Sequence, residues 1–280
     1  MNQAPTLTDR NALTLHRARA VRRPENFLLH EIAVDLQETL GTVNKEFTSP
    51  ALITAASDVF GPVVPGAHVV EDKSDIDLNA ASHDLVVHAG CLHWADDPVG
   101  QMVQSRLALI PDGLFLGAMF GGQTLHELRT ALAEAETALT GGLSPRVLPM
   151  GDVRELGGLL QRAGFALPVA DTRTINVTYT CLADLVRDLR GMGESNALAA
   201  RNRSIAHREL FKLTEHIYRQ HFSDPGGRMT ATFEVIYLTG WAPDESQPKS
   251  LKPGSATTRL ADALGVSETS AGEGVTPPKR

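Results

Sequence analysis

The 280-residue chain has few of the residues that mark several large protein classes. It holds two cysteines, Cys91 and Cys181, in no metal-like spacing, so neither a disulfide framework nor a cysteine zinc site is expected. Aromatic residues make up 5% of the chain, so leucine, alanine and valine must fill its core. No apolar run approaches the ~20 residues that span a bilayer, so no transmembrane segment is expected, and a secretory signal core is likewise missing. Nor is there an excess of basic residues. A formal charge of −7 argues against neutralising nucleic-acid phosphates, and a cytoplasmic protein is expected.

What is present is enough hydrophobic sequence, 42%, for one domain with decorations. The stretch from Asp84 to Gly122 organises it. Asp84 to Ala89 is a short β-branched run suited to a strand buried on both faces. Pro98 opens a helical pattern of Val99, Met102, Val103, Leu107 and Leu109, which Pro111-Asp112-Gly113 closes. A second strand, Leu114 to Phe120, ends at Gly121-Gly122. Strand, helix and strand in so short a span make a parallel βαβ unit.

Charge is uneven along the chain. Through His30, five arginines (10, 17, 19, 22 and 23) oppose Asp9 and Glu25, which gives +3 there and −10 for the remainder. The spacing predicts a basic helix over 11–23 lying on an acidic body; a targeting helix or peripheral membrane contact would have the same pattern. A helix over Phe27 to Leu40 follows, stopped by Gly41. Further on, helices are expected over 124–139, with Glu127 and Arg129 facing solvent, and after Asp152 as a cap. A strand over 165–179 follows, then largely helical sequence over 182–222. That sequence is broken by Gly191-Met192-Gly193-Glu194-Ser195-Asn196, either as a turn facing a substrate cleft or as a helix stop capped by Ser195 or Asn196. Thr230 to Trp241 is expected to be a final antiparallel strand.

DLVVHAGCLHWADDPVGQM with LIPDGLFLGAMFGG resembles the fourth strand, helix and fifth strand of class I S-adenosylmethionine-dependent methyltransferases. GMGESN, GWAPDESQ and GGLSPRVLP narrow the resemblance to bacterial homologues of mitochondrial complex I assembly factor 5, an arginine hydroxylase, and more distantly to malonyl-carrier-protein methyltransferases. It implies an α/β, Rossmann-like class I methyltransferase fold, S-adenosylmethionine as cofactor and a respiratory-complex subunit as protein partner. Three segments are expected: N-terminal helices (1–44), a methyltransferase-like domain (45–242) with a helical substrate-side insertion about 176–228, and a C-terminal tail (243–280), partly disordered. Asp72 and His93 are the cofactor-binding candidates it implies. Trp94, Gly191, Gly193, Glu194, Ser195, Asn196, Glu245, Ser246 and Gln247 are substrate-side candidates, with Lys252 in the same tail signature.

Two departures from the family pattern lie in the cofactor half. The glycine turn that lets a backbone approach the cofactor should follow ALITA (51–55), yet Ala55-Ala56-Ser57-Asp58-Val59 stands there. Only Phe60 to His68 remains where the fold places a helix, an acid-terminated second strand and another helix. A shortened sheet, lacking one strand and its flanking helices, is therefore expected. The run from Val69 aligns with the family's third strand, with Asp72 as its acid; the other register ends the second strand at Glu71 or Asp72. A metal set from His88, His93, Asp96 and Asp97, or a Cys91–His93 nucleophile and base, is not adopted, because nothing in the sequence orients the groups.

Overall fold

The computed structural model describes residues 6–248 together with Asp262 and Gly265. Two compact units result, Met1–Asp244 and Glu245–Arg280, and the first holds the fold.

Helix α1 (Arg10–Ala20) starts where the Asp9 side chain accepts from the Ala12 N–H at 3.1 Å. Helix α2 (Phe27–Thr42) buries Leu28, Leu29, Ile32, Ala33 and Leu36 and runs through Gly41 rather than stopping before it. Strand β1 (Pro50–Thr54) leads into α3 (Ser57–Phe60), a short 3-10 turn and strand β2 (His68–Val70). Strand β3 (His83–Ala89) is buried along its whole length. Asp97 caps α4 (Pro98–Ala108) by accepting from Gly100 N–H at 2.8 Å, with Pro98 at its first position. Strand β4 spans Leu109–Phe120, so Leu109 closes no helix; the Pro111-Asp112-Gly113 turn lies within the strand, with Asp112 at φ 58°.

Helix α5 (His126–Thr140) ends at Gly141, whose φ of 71° suits glycine. Glu127 is buried on this helix, accepting from the Thr232 backbone and hydroxyl, which corrects its expected solvent exposure. Beyond it come α6 (Val153–Arg162), capped by Asp152, strand β5 (Ala166–Tyr179), α7 (Leu182–Gly191), α8 (Arg208–His221) and strand β6 (Met229–Trp241).

Among the described residues six strands form one sheet in the order β2-β1-β3-β4-β6-β5. The first four are parallel, and β6 runs antiparallel to both β4 and β5. Alternation along the strands divides the core. Leu85, Val87 and Ala89 of β3 face the layer of α2, α5, α7 and α8, while Val86 faces that of α4 and α6. Parallel strands covered on both faces and an antiparallel hairpin at one edge make a doubly wound α/β domain. The shortening expected from sequence is visible as two strands beside β1 reduced to one. With one strand there, β2 pairs directly with β1, and Asp72 follows two residues after it.

Candidate functional site

The four parallel strands point their carboxyl ends to one side, where ligands bind in open α/β sheets. At the end of β1, the Thr54 hydroxyl donates to Ala89 O at 3.0 Å and accepts from Ala56 N–H at 3.1 Å, tying the turn to β3. Gly90, at φ 69°, follows β3; a Cβ there would stand 3.1 Å from the Phe60 ring.

The N-terminal segment is built across this end of the sheet. Leu7 and Thr8 N–H groups donate to Asp96 Oδ1 at 2.8 and 2.9 Å, and Asp9 N–H donates to Ala197 O at 2.7 Å. From α1, Arg10 and Arg17 reach the buried Asp72, donating to its Oδ2 at 3.1 and 3.2 Å. Burial pushes the Asp72 carboxyl up, and the two guanidiniums outweigh it, holding it below the ordinary carboxylate range. The basic helix thus lies on an acid, as its charge pattern implies, but the acid is a cofactor-binding candidate.

His93 and Trp94 sit on the turn after β3. Glu194 Oε2 accepts from Trp94 Nε1 at 2.8 Å and lies 3.1 Å from His93 Nε2. Burial pushes the Glu194 carboxyl up; His93, Arg17 and Trp94 more than offset it, so it too sits below its usual range. His93 also packs 5.1 Å from Phe120, centroid to centroid.

Two cavities meet at Glu194. One, of about 240 Å³, is lined by Leu128, Leu132, Val186 and Phe233, with Trp94, Ser195 and Asn196 also in its wall. The other, of about 350 Å³, lies between Arg17, Ala55, Asp58, Gly90 and Gly191. Trp94, Gly191, Glu194, Ser195 and Asn196 are therefore brought together. Gly191, besides lining the second cavity, and Gly193 allow close packing: a Cβ on Gly191 would stand 2.6 Å from Glu25 Cβ, and one on Gly193 3.1 Å from Arg17 Cγ. Asn196 Oδ1 accepts from Leu198 N–H at 3.0 Å, a local turn, and α8 begins only at Arg208; neither it nor Ser195 caps a helix. Glu245, Ser246 and Gln247 form a turn that opens the second unit. Lys252 and 266–280 lie outside the described residues.

Sequence reasoning missed the apolar cavity, because Leu128 and Leu132 on α5 and Val186 on α7 read as ordinary core positions. It also missed the Arg146–Glu136 pair beside it, at 2.6 Å.

Strand order and a ligand-binding end at the carboxyl termini of β1, β2 and β3 define a Rossmann-like class I methyltransferase fold with a shortened sheet. No family model matches the chain. It is 36% identical over 228 residues to the mitochondrial arginine-hydroxylase NDUFAF5 of Rattus norvegicus, covering 81% of this chain and 66% of that protein. The Homo sapiens protein of that name is 37% identical over 221 residues, covering 79% and 64%. A malonyl-[acyl-carrier protein] O-methyltransferase of Laribacter hongkongensis is 34% identical over 188 residues, covering 67% and 61%. The chain spans just under two thirds of the length of these relatives. Among solved structures, a SAM-dependent methyltransferase of Thermotoga maritima is 12% identical with a TM-score of 0.43, covering 82% of this chain and 99% of that one. The chain belongs to the class I methyltransferase-like family, as a homologue of NDUFAF5 and of bacterial malonyl-carrier-protein methyltransferases.

Proposed function

We propose that this protein is a non-catalytic binding or assembly factor on a methyltransferase-like frame, with a degenerate S-adenosylmethionine site. It acts in the cytoplasm on a respiratory-complex subunit. The observation behind this reading is Asp72: both guanidiniums of its own α1 pair with the carboxylate at Oδ2 and its side chain is closed to solvent, so it is neutralised and covered where a cofactor would approach. The first turn does not fit the cofactor either. Ala55 and Val59 stand where the family pattern has the glycines that let a ligand approach, and Asp58 opposes a carboxylate with like charge. The four residues of α3 make too short a helix to present a full N-terminal turn to a ligand.

The apolar cavity and its acidic mouth support the binding role. Leu128, Leu132 and Phe233 offer an anchor site for an apolar side chain, and Glu194 offers a carboxylate to a cationic or N–H donor. The same pocket favours a second reading, an active S-adenosylmethionine-dependent methyltransferase or arginine hydroxylase acting on a protein, since Glu194 joins the two cavities.

Calorimetric titration with S-adenosylmethionine and S-adenosylhomocysteine, paired with thermal shift, separates the two, because a ligand bound only by the folded state raises its stability. The expected result is no heat and no shift at millimolar ligand. Saturable binding in the micromolar range overturns the non-catalytic reading.

A further inference from the structure

We propose that Asp72, His88 and Cys91 form a binding site for a thiol-seeking divalent cation of the zinc class, beneath α1 and apart from the substrate-side cavity. The fold assembles it from three places: Asp72 after β2, His88 within β3 and Cys91 just past β3. One ligand atom from each lies within 4.8 Å of the others. His88 and Cys91 are wholly buried, and the Asp72 side chain is closed to solvent.

The hydrogen bonds orient the set as a metal site requires. Gln101 Nε2 donates to Lys73 O at 3.0 Å, which fixes the amide and leaves Oε1 as an acceptor. Oε1 lies 2.8 Å from His88 Nε2, so that nitrogen carries the proton and Nδ1 presents a lone pair. A ligating histidine is held in this way by a partner on its other nitrogen. The lone pair faces Cys91 Sγ at 3.6 Å. A tetrahedral zinc, with bonds of about 2.3 Å to sulfur and about 2.0 Å to nitrogen, sets two such atoms about 3.5 Å apart. Asp72 contributes the oxygen the arginines do not use: both bind Oδ2, while Oδ1 has only a 3.5 Å contact from Gln101 Nε2.

Sulfur, nitrogen and oxygen donors with a fourth position open suit zinc or its spectroscopic substitute cobalt. Binding forms metal–sulfur, metal–nitrogen and metal–oxygen bonds, breaks the S–H bond and releases that proton to solvent; no electron is transferred. The charges that act on the site from outside it include Arg10 and Arg17 from α1 and the Glu194 carboxylate. The guanidiniums oppose a cation, so metal and α1 compete for Asp72.

The test is titration of the full chain with Co²⁺ followed by Zn²⁺ competition. Expected are one equivalent bound, a thiolate-to-cobalt charge-transfer band, and loss of that band in Cys91→Ser with affinity at least about tenfold weaker. Cys181→Ser keeps the band, and Arg10→Gln tightens binding by relieving the competition. Circular dichroism confirms that each variant is folded. No metal uptake, or a band that survives Cys91→Ser or vanishes in Cys181→Ser, overturns the site.

Discussion

Arg17 places both terminal guanidinium nitrogens 3.2 Å from Asp72 Oδ2, across 55 residues of sequence. Arg10 binds the same oxygen, so one buried carboxylate fastens α1 to the end of β2. Replacing both arginines with alanine leaves that carboxylate buried and unpaired. The expected cost is about 3–5 kcal/mol, read from urea unfolding. An unchanged midpoint would mean that α1 is held by its other contacts alone.

Glu136 gives a pH dependence. Arg146 hydrogen-bonds its carboxyl and, against burial, lowers it from 4.5 to about 2, with Ser144 adding two further bonds. A carboxylate whose folded value is depressed contributes stability that is present above pH 4.5 and lost as pH falls through about 2. The stability of the protein and of Glu136→Gln should therefore differ most above pH 4.5 and converge as pH falls from there through about 2.

Leu132→Trp fills the apolar cavity between α5 and α7. The expected outcome is a folded protein with an unchanged or slightly raised melting temperature that no longer retains the respiratory-complex subunit proposed above as its partner. Retention of the partner would move the binding surface elsewhere. Overpacking, if it dominates, costs about 1–3 kcal/mol and is visible in the same melt.

Gly191→Ala brings a methyl group to 2.6 Å from Glu25 Cβ and 2.9 Å from Glu25 N, a backbone atom that cannot swing aside. The N-terminal segment should lift from the GMGESN turn. Limited proteolysis should then cut before Phe27 faster than in the parent, with destabilisation of about 1–3 kcal/mol.

Ala55→Gly with Val59→Gly restores the glycines of the first turn but not the missing strand and helices. No S-adenosylmethionine binding is expected in calorimetry. Micromolar affinity from these two changes alone would show that the deletion is not what limits the site.

The core was legible because the strands bury both faces: the β-branched run at Asp84 to Ala89 and the small apolar run at Leu114 to Phe120 have few other places to go. Asp97 with Pro98, and Asp152, marked two helix starts by their chemistry. The site was legible only in part. Trp94, Glu194, Ser195 and Asn196 were found by resemblance and do share one cavity. The Arg10–Asp72–Arg17 bridge was not, since charge counting shows an excess of arginine but no partner for it. The Asp72–His88–Cys91 cluster was equally hidden, because strand pairing, not spacing, brings residue 72 beside 88. Glu127 misled for the opposite reason: it is a charged helix residue whose carboxylate accepts from Thr232 on β6.

Strand β2 is only three residues long, and residues 55–67 alone connect it to β1. Parallel neighbours need a dozen or so residues to cross over, so this connection is near the shortest that geometry allows. Among the described residues β2 is one rim of the sheet, and that rim is a graft point: an extended segment laid along its outer edge should lengthen the sheet without disturbing the pairing of β2 with β1.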